Sequence, residues 1–138
     1  MGRIPEKLIK KIENNIEKIG TELRAFPGDA DGNYMKNKEK ALPIGHIFSW
    51  TQSFFTGMAL WAYADTHDVK FLDWTMQFKK LYSDKIELTP METMHDLGFL
   101  YSPYAVMIYS ITENEEFKKM GIKAAYALAM RFNPKGRY

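Results

Sequence analysis

The sequence predicts an all-α chain built from stacked α-hairpins. Three observations carry this. Apolar residues recur at three- and four-residue steps, nothing reads as a strand, and two stretches repeat one another at a spacing of 46 residues.

The first helix is expected over residues 4–23, where Ile4, Leu8, Ile12, Ile16, Ile19 and Leu23 form one stripe. Pro5 suits a first turn. The lysines between them alternate with Glu6, Glu13, Glu17 and Glu22, which marks a solvated outer face rather than a basic membrane-binding one. Residues 24–46 break the pattern with Pro27, Gly28, Gly32, Pro43 and Gly45, the marks of a long loop. Within it, Asp29, Asp31 and Asn33 resemble the start of a calcium loop but lack the downstream ligands and the bidentate Glu.

A second helix is expected over 47–64 and a third over 69–82, with Asp68 or Thr66 as the N-cap between them. A fourth follows over 96–111 and a fifth over 113–132. At that junction Thr112 and Glu115 read as the N-cap and N3 pair of a capping box.

Superposing Thr66 on Thr112 matches Ala59 with Ala105, Tyr63 with Tyr109 and Phe71 with Phe117. All surround the same turn of the same helix pair, which makes the unit a repeated hairpin. Such units bury their faces only by stacking on neighbours. Gly57, Ala59, Ala62 and Ala64 in the second helix permit close approach. So do Gly121, Ala124, Ala125, Ala127 and Ala129 in the fifth.

The 138 residues suit a single domain, 1–138. A net charge of +2, from 19 basic and 17 acidic side chains, singles out neither a nucleic acid nor a membrane as partner. No apolar run reaches the length of a membrane span, and the charged N-terminus lacks an apolar signal core. The absence of cysteine excludes disulfides and thiolate metal sites, and the expected location is cytoplasmic. Aromatics at 14% supply a large core or a face for a flat ligand.

The chain has three histidines, His46, His67 and His95, and no His-x-x-x-His pair for zinc. Phosphate-binding glycine loops and a nucleophile elbow are also missing. What stands out is Glu92–Tyr104, ETMHDLGFLYSPY, where His95 and Asp96 precede an aromatic run. Ionisable groups are costly to bury unless paired or employed. A second helix start, His46-Ile-Phe-Ser-Trp50-Thr-Gln-Ser-Phe54-Phe55-Thr-Gly57, is built alike. If hairpins stack side by side, both mouths face one cavity. Asp96 then reads either as a plain N-cap, favoured by the helix dipole, or as a site residue.

Trp50-Thr-x-Ser-Phe54-Phe55-Thr-Gly57-Met58-x-Leu60-Trp61, followed by His95-Asp96-Leu97-Gly98-Phe99, closely resembles the family 88 glycoside hydrolases, the unsaturated glucuronyl hydrolases. The resemblance runs from the first helix to Asn133-Pro134-Lys135-Gly136. The unsaturated rhamnogalacturonyl hydrolases share the fold and are less similar at the His-Asp motif.

This resemblance implies a partial (α/α)6 toroid, of which the chain is the N-terminal portion. It implies a hydrolase that takes a Δ4,5-unsaturated uronic acid from the non-reducing end of lyase-generated oligosaccharides. Hydration of the C4=C5 vinyl ether replaces the usual paired-carboxylate displacement at the anomeric carbon. By matching motif, Asp96 is one of two active-site aspartates and holds sugar hydroxyls. His95 and Phe99 line the same pocket, and Trp50 stacks on the sugar ring. No metal or cofactor is implied.

The second aspartate, the family's general acid, belongs to the next repeat. The 138-residue chain is therefore expected to be an incomplete, catalytically inactive portion. Its exposed edges imply self-association or pairing with a chain that supplies the rest. The competing readings are a helical-repeat interaction module, with the aromatics as core and Asp96 as a cap, and an inactive remnant of the family.

Overall fold

In the first helix, α1 (Glu6–Ile19), a 3.6-residue period sets Ile12 and Ile19 on one buried stripe. Gly20 ends it at φ 56°, in the left-handed region that glycine enters without a Cβ penalty, and its N–H donates to the Ile16 carbonyl at 2.8 Å. This is a computed structural model, and it describes residues 3–23, 50–88, 96–132 and 134–136. The calcium-like stretch, His46, His95 and the first three positions expected for the second helix lie outside those residues.

A 3-10 turn at Trp50–Gln52 leads into α2 (Ser53–Thr66). The expected third helix is two pieces, α3 (Val69–Met76) and α4 (Lys79–Leu88). They break where Phe78 N–H donates to the Thr75 carbonyl at 3.3 Å, a tightened turn. The second piece runs past the expected end at Tyr82 because Lys85 and Ile86 are buried. The expected fourth helix is α5 (Leu97–Tyr101), a π-helical turn (Ser102–Val106) and α6 (Met107–Thr112). Pro103 lacks an N–H and its ring crowds the preceding turn, so the helix widens there instead of breaking. The last helix is α7 (Glu115–Ala129).

Every described element is helical, and the elements pair as two hairpins. The first is α2 with α3 and α4, and the second is α5–α6 with α7. The second seats on the first through α2 against the π turn and α6, and through α4 against α7. α1 packs on α2, and Trp74 Nε1 ties its end to α3 by donating to the Gly20 carbonyl at 2.9 Å.

The 46-residue repeat is geometric as well as sequential. His67 and Glu113, one offset apart, both adopt the left-handed conformation at φ 57° and 56°. Each N–H returns 2.8 Å to a tyrosine carbonyl, Tyr63 in one case and Tyr109 in the other. Asp68 then caps α3 and Asn114 caps α7, each side chain accepting from the N–H two residues on.

The Thr112–Glu115 capping box is corrected here. Thr112 is the last residue of α6, and its hydroxyl donates back to the Ile108 carbonyl at 2.8 Å, as Thr66 does to Ala62 at 2.7 Å. Threonine prefers this i−4 bond inside a helix, and that leaves the capping to Asn114. At the other junction, where either residue was open, Asp68 is the cap.

The core joins both hairpins and α1 through Leu23, Leu60, Phe71, Tyr82, Tyr101, Tyr104, Ile108 and Phe117, each at most 2% exposed. The small residues act as expected at Gly57, Ala59, Ala62, Ala124 and Ala127, which are buried, whereas Ala64, Ala125 and Ala129 face outward.

Candidate functional site

The two helix starts singled out in the sequence meet. Trp50, in the 3-10 turn ahead of α2, lies with its ring centroid 5.3 Å from that of Phe99 on α5, the planes tilted by 41°. Phe54, one helical turn on from Trp50, meets the indole edge-on at 5.5 Å and 83°. Trp50 is half-buried against the core, while Phe54 and Phe99 are 44% and 55% exposed. The result is an aromatic shelf with one solvent-facing side.

Asp96 stands at the head of α5, half-buried and three residues before Phe99. It occupies the N-cap position, yet its carboxylate makes no cap hydrogen bond to the helix. A side-chain cap bond therefore does not explain the residue. Of the four residues expected at the site, Trp50, Phe99 and Asp96 thus gather at one end of two adjacent helices. His95 lies outside the described residues.

Behind the shelf is a buried polar clasp. The Tyr82 hydroxyl, on α4, lies 2.7 Å from Ser53 Oγ and 3.4 Å from Thr56 Oγ1, both on the first turn of α2. Tyr101 Oη, two residues after Phe99, donates to the Tyr82 carbonyl at 2.7 Å. Tyr82 also stacks on Tyr104 at 3.6 Å and 7°. Burial pushes the Tyr82, Tyr101 and Tyr104 hydroxyls well above the usual phenol range, so they act as neutral hydrogen-bonding groups. Tyr82 on α4 thus ties the first turn of α2 to the end of α5. Phe54 was legible as the i+4 neighbour of Trp50. Tyr82 carried no local signal, because its partners are 19 to 29 residues away.

Below the shelf, a groove of about 560 Å³ runs between α2 and the π turn with α6, lined by Phe54, Met58, Trp61, Val106 and Met107 among others. Its wall is almost wholly apolar.

No protein-family profile matches the chain. Individual proteins do. An unsaturated chondroitin disaccharide hydrolase of Streptococcus pneumoniae is 27% identical over 138 residues, covering all of this chain and 33% of that protein. A protein of the same name from Streptococcus agalactiae is 30% identical over 137 residues, covering 96% of this chain and 31% of its own length. The crystal structure of an unsaturated glucuronyl hydrolase from Bacillus sp. GL1, described as responsible for glycosaminoglycan degradation, superposes with a TM-score of 0.67. It is 22% identical and matches 91% of this chain and 31% of that one.

The chain is a relative of the unsaturated glucuronyl hydrolases. It shares their helical toroid fold over the matched length, and it spans about a third of the length of the curated relatives it matches.

In this unsaturated glucuronyl hydrolase relative, the clasp gives a first test. Tyr82→Phe removes the hydroxyl that Ser53 and Thr56 share, and a buried hydrogen bond of this kind contributes about 1 kcal/mol. The expected result in urea denaturation is a loss of about 1–2 kcal/mol with an unchanged m-value. Faster amide exchange should be confined to the first turn of α2. An unchanged midpoint would remove the clasp from the account.

Proposed function

We propose that this chain forms part of a hydrolase that removes a Δ4,5-unsaturated uronic acid from the non-reducing end of lyase-generated oligosaccharides. The observation that carries the reading is the meeting of Trp50 and Phe99 beside Asp96 at one end of two adjacent helices. The names of the relatives supply the substrate class. The chain is read as a single domain, the N-terminal part of an (α/α)6 barrel, with a cytoplasmic location. No described helix is long and apolar enough to cross a membrane.

The chemistry is hydration. An acid delivers a proton to C4 of the vinyl ether, and water adds at C5 while losing a proton to the conjugate base. The hemiketal then opens, and the remaining sugar leaves as an alcohol. Such an acid needs a pKa near working pH. In this chain, Trp50 and Phe99 offer a flat apolar face to the C–H side of the ring. The Asp96 carboxylate is an acceptor for its hydroxyls, and His95 is assigned to the same pocket by the motif alone. Asp96 holds the ring in place, and the general acid is assigned outside the residues that match the motif.

That assignment predicts binding without turnover. The 138-residue chain alone should leave the ultraviolet absorbance of the C4=C5 bond of an unsaturated chondroitin-type disaccharide unchanged. Loss of that absorbance with the purified chain would contradict it. The rhamnogalacturonyl alternative predicts preference for a rhamnose-linked unsaturated uronide in the same binding assay. The interaction-module and inactive-remnant readings, favoured by the exposed apolar residues of α7, predict indifference to both sugars.

A further inference from the structure

The two hairpins part company at one pair of equivalent positions. At the 46-residue offset, Trp50 corresponds to Asp96 and Gly57 to Pro103. α2 runs unbroken through Gly57, from Ser53 to Thr66. Its counterpart is interrupted by the π turn at Ser102–Val106, which holds Pro103. The interruption therefore follows the proline and not the hairpin.

The Ser102 N–H donates to the Gly98 carbonyl, an ordinary α-helical bond. The next such bond would run from residue 103 to the Phe99 carbonyl, and proline has no N–H to make it. Further on, the Met107 N–H reaches the Ser102 carbonyl, five residues back. A proline can break a helix or widen it, and packing decides here. A Cβ built at Gly57 would lie 2.9 Å from the Pro103 Cβ, so the two equivalent positions press together and the chain stays helical between them.

The bond that proline forbids belongs to a residue of the proposed site. Phe99 is the ring that meets Trp50 at 5.3 Å. A π turn holds one residue more than an α turn, which is roughly a quarter of a turn in rotation. That rotation sets the start of α5, with Asp96 and Phe99, relative to α6. The core does not demand it. The buried residues Leu97, Tyr101, Tyr104 and Ile108 keep α-helical steps, and a closed α turn would still bury them.

We propose that Pro103 is a positioning residue for the aromatic shelf. By withholding an N–H from the Phe99 carbonyl it keeps the turn wide, and the wide turn sets Phe99 against Trp50. The proposal rests on reading Trp50, Phe99 and Asp96 as the sugar site, but its first readout needs no sugar.

The test is Pro103→Ala in the 138-residue chain, read by nuclear magnetic resonance and by calorimetry with an unsaturated chondroitin-type disaccharide. The new amide at position 103 should be protected from exchange by the Phe99 carbonyl. Contacts between the Trp50 indole and the Phe99 ring should vanish from the Overhauser spectrum, while those between Tyr82 and Tyr104 persist. Disaccharide affinity should fall about 10-fold, less than for loss of the whole indole face. Ile108→Val, a core deletion below the turn, should lower the Tm and leave both the ring contacts and the affinity intact. Lactic acid in place of Pro103 also lacks the N–H, so it should keep the ring contacts, and it decides the matter if Pro103→Ala does not fold. Intact Trp50–Phe99 contacts in folded Pro103→Ala, whatever its Tm, would overturn the proposal. So would their loss in the lactic acid variant. Absence of sugar binding by the wild-type chain, alongside ring contacts that depend on position 103 as stated, would sink the sugar reading and leave the positioning role standing.

Discussion

Trp50→Ala is expected to remove most of the affinity of this chain for an unsaturated uronyl disaccharide. The indole is the largest flat surface at the site and is held at a set tilt by Phe99 and Phe54. Loss of about 100 Å² of apolar contact at about 25 cal/mol per Å² costs about 2.5 kcal/mol, or about 70-fold in Kd. The effect on folding should be small by comparison, since Trp50 sits in a single turn at the edge of the core. Trp50→Phe should recover part of the loss, because a smaller ring keeps some of the face. Calorimetry with far-ultraviolet circular dichroism as the folding control reads both. Unchanged affinity would mean that the shelf is packing and not a sugar platform.

Gly57→Val should damage the fold and the site together. A Cβ built at Gly57 lies 2.9 Å from the Pro103 Cβ and 3.4 Å from the Pro103 carbonyl. Pro103 sits in the π turn with its ring fixed, so α2 and α5–α6 would have to separate. Those are the helices whose starts bring Trp50 to Phe99. Overpacking of a close contact costs about 1–3 kcal/mol. The roughly 1 kcal/mol that glycine costs inside a helix offsets this for alanine, and less for a β-branched residue. The expected result is a Tm lower by several degrees and weaker sugar binding in the fraction that remains folded. A Gly57→Val chain as stable as wild type would show that the two helices can part without cost.

Much of this architecture was legible in the residues. The stripe from Ile4 to Leu23 placed α1, and the Thr66–Thr112 offset placed both hairpins before any coordinates. The turn conformations were not legible. His67 and Glu113 adopt positive φ although neither is glycine or asparagine, and only their equivalence across the repeat makes the pair intelligible. Thr112 misled because threonine is a good N-cap by rank, whereas its i−4 hydrogen bond inside a helix is a competing local choice. The widening at Ser102–Val106 and the break after Met76 follow from packing that no local pattern reports. Of the candidate site, Trp50, Asp96 and Phe99 were singled out by a motif. The Tyr82 clasp depends on contacts between distant residues and had to await the fold.

The most direct test is calorimetric titration of an unsaturated chondroitin-type disaccharide into the 138-residue chain and its Asp96→Asn variant. Hydrogen bonds to a charged group contribute about 1.5–3 kcal/mol, so the account predicts saturable binding to the wild-type chain, weakened about 10- to 150-fold in the variant. No binding by a folded wild-type chain, or equal binding by both, would contradict it.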